Sequence, residues 1–108
     1  MNLELPLIIQ KYVKASNQHD VKSILACFSD HAVVRDERKE FRGKQTIRKW
    51  IVETIERYKF HFKPVSATED NAEVIVAIEV SGTFPGSPVT PDYHFTLDKE
   101  EILALAIN

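Results

Sequence analysis

Cysteine is almost absent from this 108-residue chain, where Cys27 is the sole thiol. One cysteine excludes an intramolecular disulfide framework and any CxxC metal site. Glycine is scarce too: Gly43, Gly82 and Gly86 are scattered, so no Gly-rich phosphate loop exists. Positive charge is not in excess, with 14 Lys and Arg against 16 Asp and Glu and a net charge of -2. Nucleic-acid binding therefore lacks the basic footprint that a phosphate backbone demands. No apolar run approaches the ~20 residues of a bilayer span. The stretch MNLELPLIIQKY lacks the basic start and small-residue cleavage site of a signal peptide. The expectation is a cytoplasmic protein that engages neither membrane nor nucleic acid. His19, His31, His61 and His94 show no ligand spacing, and a metal site needs three or four convergent ligands. No metal or cofactor is expected.

What the chain does contain is ordinary for one folded domain over residues 1–108: 44% hydrophobic and 28% charged residues. Leu5, Ile8, Ile9, Tyr12 and Val13 recur at helical spacing, with Pro6 acceptable in a first turn. After the break at SNQHD, Asp20 is placed to cap a second helix, VKSILACF, with Ile24, Cys27 and Phe28 on one face. A buried, inert thiol suits that position of Cys27. SDHAVVRDE reads as a turn and a strand. Gly43 then opens a longer helix whose Ile47, Trp50, Ile51, Thr54, Ile55 and Tyr58 share a face.

Beyond Tyr58 the period becomes two. KFHFKPVSATED is a strand that Pro64 confines to an edge or a bulge. AEVIVAIEVSGTF, DYHFTLD and ILALAIN are further strands, with PGSPVTP and DKEE as turns. Helices followed by a run of strands predict an α+β architecture, with the helices on one face of a mostly antiparallel sheet. Strand parity puts Glu79 with Ile75 and Ala77, and His61 and His94 opposite their aromatic neighbours, on the outer sheet face.

The densest charge lies in AVVRDERKEFRG, where Arg35, Asp36, Glu37, Arg38, Lys39, Glu40 and Arg42 crowd together. By alternation Val34, Asp36 and Arg38 share one face; Val33, Arg35 and Glu37 share the other. Two readings of Asp36 stand. It is a solvated hairpin charge paired with Arg35 or Arg38, or it is the first charge to point into an apolar interior.

The order of these segments, with YVKASNQHDVKSILACFSDHAVVRDE, FRGKQTIRKWI, GTFPGSP and DYHFTLDKEEILALAI, resembles the nuclear-transport-factor-2-like superfamily. Within it the resemblance is to the SnoaL-like (polyketide-cyclase-like) and ketosteroid-isomerase-like branch, including members without an assigned activity. It implies a cone-shaped roll: three helices in the N-terminal half close over a strongly curved sheet. An apolar pocket opens at the end of the cone, and the outer sheet face forms a homodimer interface. The implied ligand is a small apolar or cyclic molecule, and the implied activity is that of an isomerase or cyclase. The alternative is a non-catalytic apolar-ligand-binding or dimeric interaction module.

Residue by residue, Asp36 matches the isomerases' general base and Tyr12 their first-helix oxyanion donor. Where they place a protonated aspartate, two residues before the phenylalanine of the penultimate strand, this chain has Tyr93, a second phenol. Glu37 stands where the isomerases turn at a proline. The expected pocket wall is Val34, Arg38, Trp50, Phe60, Phe62, Phe84 and Phe95. Whether Asp36 is a poised base or a neutralised partner of Arg38 stays open at this level.

Overall fold

The computed structural model describes residues 4–108. Helix α1 (Leu7–Asn17) begins after Pro6, whose extended backbone precedes the helix and whose carbonyl accepts from the Ile9 and Gln10 amides. The helix predicted from Leu5 therefore starts later, because a residue before proline is driven out of the helical region. Asp20 caps α2 (Val21–Ala26) as expected: Oδ1 accepts from the Ser23 amide at 3.2 Å and Oδ2 from its hydroxyl at 2.7 Å. This helix ends before Phe28. The Ile102 amide takes the Cys27 carbonyl at 2.8 Å, and sheet pairing overrides the helical pattern there. Strand β1 (Phe28–Asp36) thus includes His31, with a register shift between Phe28 and Val33.

A two-residue turn leads to β2 (Lys39–Arg42), and Gly43, at φ +83°, opens α3 (Lys44–Tyr58). The sheet continues with β3 (His61–Asp70), β4 (Glu73–Ser81), β5 (Asp92–Asp98) and β6 (Glu101–Ile107). Its six strands run β2-β1-β6-β5-β4-β3 and leave β2 and β3 as open edges. All pairs are antiparallel except β1 with β6. Pro64 lies on the edge strand β3 beside a register shift, which combines the two placements open to a proline in a sheet.

Three helices cover one face of this sheet. Alternation along β4 sends Val74, Val76, Ile78 and Val80 into the core with Ile9, Phe28, Ile47, Phe95 and Leu105. Ile75, Ala77 and Glu79 face away, half-buried. His94 lies on that outer face too. Its Nδ1 is 3.2 Å from Glu73 and its Nε2 2.9 Å from the Asn108 amide. Among the described residues no helix is long and apolar enough to cross a membrane.

Candidate functional site

Ala32 and Val34 point from β1 into the core and are fully buried. Asp36, next on that face, reaches an apolar cavity of about 520 Å³, a volume within the usual range for small-molecule sites. Helix α3 sets its environment. The Gly43 amide donates to the Ala32 carbonyl at 3.0 Å, tying the start of the helix to β1. Two turns on, the Trp50 indole N–H donates to Asp36 Oδ2 at 3.1 Å. Burial raises the pKa of Asp36 above the ordinary carboxylate value, and the charge of Glu37 adds to this. The Trp50 hydrogen bond pulls the other way.

Tyr12 from α1 and Tyr93 from β5 line the same cavity and are nearly inaccessible to solvent. Burial pushes the pKa of each phenol up, and the negative charge of Asp36 pushes both further. Both rings therefore remain neutral O–H groups, which is the form that donates a hydrogen bond. Phe95 braces them from behind, edge-on to Tyr12 at 5.5 Å and stacked on Tyr93 at 6.2 Å. Phe60 and Phe62, stacked at 4.6 Å, form another wall. Asn17 holds that wall to α1: its amide donates to the Phe62 carbonyl at 3.0 Å and accepts from the Phe62 N–H at 2.6 Å. His19 Nε2 lies 2.7 Å from the Phe60 carbonyl.

The structure thus brings Tyr12, Asp36, Trp50, Phe60, Phe62, Phe84 and Tyr93 together around one space. It leaves three expected lining residues out. Val34 and Phe95 are fully buried within the packed layer beneath the cavity. Arg38 is exposed at the second position of the β1–β2 turn, where the strand alternation used to place it no longer applies. Glu37 and Arg38 both take positive φ, 52° and 65°, as a tight two-residue hairpin turn requires. Of the two readings left open for Asp36, pairing with Arg38 does not occur, and the Trp50 indole is its partner instead. The same turn leaves Glu37 exposed and brings it to the cavity, although strand alternation puts it on the face opposite Asp36. There Glu37 Oε1 accepts from the Tyr58 hydroxyl at 2.7 Å, which raises the pKa of that phenol.

Thr54 and Tyr58, which the spacing places on the α3 face without a site role, also line the cavity. Their signal was present, since they follow Trp50 at i+4 and i+8 on one helix face. Pro85, Val89 and Pro91 come from the segment after β4, which no periodicity describes. Cys27 is buried with its Sγ 3.5 Å from the Ser23 carbonyl, and burial raises its thiol pKa. Among the described residues, no group of three or more His, Cys, Asp or Glu is placed to hold a metal ion.

Three helices over an open six-stranded sheet, with an apolar cavity between the layers, define a nuclear-transport-factor-2-like α+β fold. The sequence profile of the SnoaL-like domain matches residues 9–102, and the chain belongs to that family. A candidate polyketide cyclase from Sinorhizobium meliloti is 35% identical with a TM-score of 0.92, over 96% of this chain and 95% of that one. SalBIII, the epoxide hydrolase/cyclase-like enzyme of pyran-ring formation in polyether salinomycin, is 19% identical with a TM-score of 0.82, over 94% and 86% of the two chains. A protein of ketosteroid-isomerase-like fold from Catenulispora acidiphila, solved with trimethylamine, is 16% identical with a TM-score of 0.83, over 97% and 86%. These last two similarities concern the fold. No curated protein matches the chain significantly.

Proposed function

We propose that this SnoaL-like protein is an isomerase or cyclase that removes a proton next to a carbonyl in a small apolar or cyclic substrate. Asp36 is the base; Tyr12 and Tyr93 donate hydrogen bonds to the oxygen on which negative charge develops. The observation that carries this reading is Asp36 itself, a carboxylate facing an apolar cavity with an indole rather than a cation as its partner. A desolvated carboxylate of raised pKa is a better match to a carbon acid than a solvated or ion-paired one. Two neutral phenols in a water-poor site are set to stabilise an enolate without reorganising. The reaction needs only proton movement between substrate and side chain, and nothing in the proposal invokes a cofactor.

The test is deuterium exchange or isomerisation of cyclic ketones by the wild type and by Asp36→Asn. Loss of the base should lower the rate by at least ~10²-fold. An unchanged rate would leave the chain as a binder of apolar ligands without catalysis. The outer sheet face, with Ile75, Ala77, Ala104 and Ala106 half-buried, supports a second part of the proposal: two copies pair through it.

A further inference from the structure

Among the described residues, the cavity lining contains two carboxylates, Asp36 and Glu37, and no Lys, Arg or His. None of the neighbouring cations lines the cavity itself. Arg35 and Arg42 hold Glu40 and Arg38 projects from the turn, while Lys39 and Arg57 flank Glu37 from the outside, the exposed Arg57 guanidinium carbon lying 5.8 Å from the Tyr58 ring centre. From this we infer that the cavity accepts an apolar ligand bearing a protonated or quaternary amine, with the cationic end at the mouth against Glu37, Tyr58 and Phe84. The inference rests on the cavity being a ligand site, as proposed above, and it names the class of ligand.

Three features converge on a cation. Glu37 is exposed and Asp36 half-buried, so Glu37 marks the solvent end of the cavity and Asp36 lies further in. A ligand that covers Glu37 strips water from a carboxylate, and a positive group that also donates hydrogen bonds returns the most of what is lost. The aromatic rings beside it suit the same charge. Tyr58 and Phe84 meet edge-to-face at 5.4 Å and 79°, and the Tyr58 ring already carries one cation, the Arg57 guanidinium, as ring faces attract cations. Finally, Tyr58 engages Oε1 of Glu37, and a carboxylate accepts through both of its oxygens. An anionic ligand finds two carboxylates and no cation in the cavity lining. Combined with the proposed chemistry, the substrate is an aminated cyclic ketone. Its amine lies at the mouth, its acidic C–H at Asp36 and its carbonyl oxygen at Tyr12 and Tyr93.

The inference is tested by calorimetric titration of the whole chain at neutral pH and low salt with three probes of one shape: 1-aminoadamantane, 1-adamantanol and adamantane-1-carboxylate. The amine should bind about tenfold more tightly than the alcohol, on the scale of a partly desolvated cation–π contact. The carboxylate should bind weakest. In Glu37→Gln the ratio of amine to alcohol affinity should fall to about two or below. If that variant does not fold, the same ratio in the wild type should fall as salt rises from about 10 mM to about 500 mM, because the mouth is open to screening. The inference is overturned if the alcohol binds as well as the amine, if the amine does not bind, or if the ratio survives both Glu37→Gln and salt. Normal ketone exchange without amine preference would overturn this inference alone. Amine preference with exchange indifferent to Asp36→Asn would overturn only the catalytic assignment.

Discussion

Ionising Asp36 inside the cavity costs free energy, because burial removes water that the Trp50 indole only partly replaces. The folded state therefore binds a proton at Asp36 more tightly than the unfolded chain does. The associated stability is fully present below the ordinary aspartate pKa and is lost as pH rises through the raised, folded-state value. Asn carries no such penalty and can still accept from Trp50. Asp36→Asn should therefore melt a few degrees above the wild type at pH 7, with the difference vanishing in acid. Thermal unfolding followed by circular dichroism over pH checks this. A variant less stable at pH 7 would show that Asp36 is held by attractions stronger than its desolvation. Greater stability with lower turnover is the trade expected where a group is kept in an unfavourable environment for chemistry.

At the scale of elements, Asn17 closes the seam between α1 and the edge strand β3. It engages both the N–H and the C=O of Phe62, as a neighbouring strand would. Asn17→Ala leaves one donor and one acceptor half-buried and unpaired, so it should destabilise the fold by about 1–3 kcal/mol. Urea unfolding measures this, and a loss within error would mean that water substitutes fully. Asn17 also illustrates what a linear reading misses: its partner lies 45 positions away, and no periodicity connects the two. What was legible came from local rules. The Asp20 cap, the α3 face and the alternation of β4 follow from spacing alone, and alternation along β1 correctly turned Asp36 toward the helices. The rule failed one residue later. Glu37 and Arg38 belong to a positive-φ turn, where side chains no longer alternate, so Glu37 borders the cavity while Arg38 projects to solvent. Val34 and Phe95 have the correct face but lie too deep, since parity gives direction and not depth.

For the molecule as a whole, the helices bury one face of the sheet and leave the other half-exposed. The register places Ala106 beside His94 and His94 beside Ile75, so the outer face carries small and apolar residues on β6 and β4 with His94 between them on β5. The proposed pairing through this face predicts a dimeric mass by light scattering. Ile75→Asp should halve that mass, because a charge buried between two copies without a partner is costly. A wild-type chain that is monomeric at tens of micromolar (roughly, the range where a standard-size interface stays closed) sinks the proposal.

The single parallel pair also bears on how the protein is made. Val34 of β1 aligns with Leu105 of β6, so the strand carrying Asp36 is fastened on its inner side by the sixth and last strand of the sheet. Its other neighbour, β2, offers only a two-stranded ribbon, which is marginal on its own in water. A nascent chain that has completed all three helices and even β5 still lacks the strand that fixes the carboxylate in place. Contacts so distant in sequence are the slow ones to form. Assembly of the cavity is thereby a late event in folding, and a chain interrupted before β6 holds every side chain of the proposed chemistry without the means to align them.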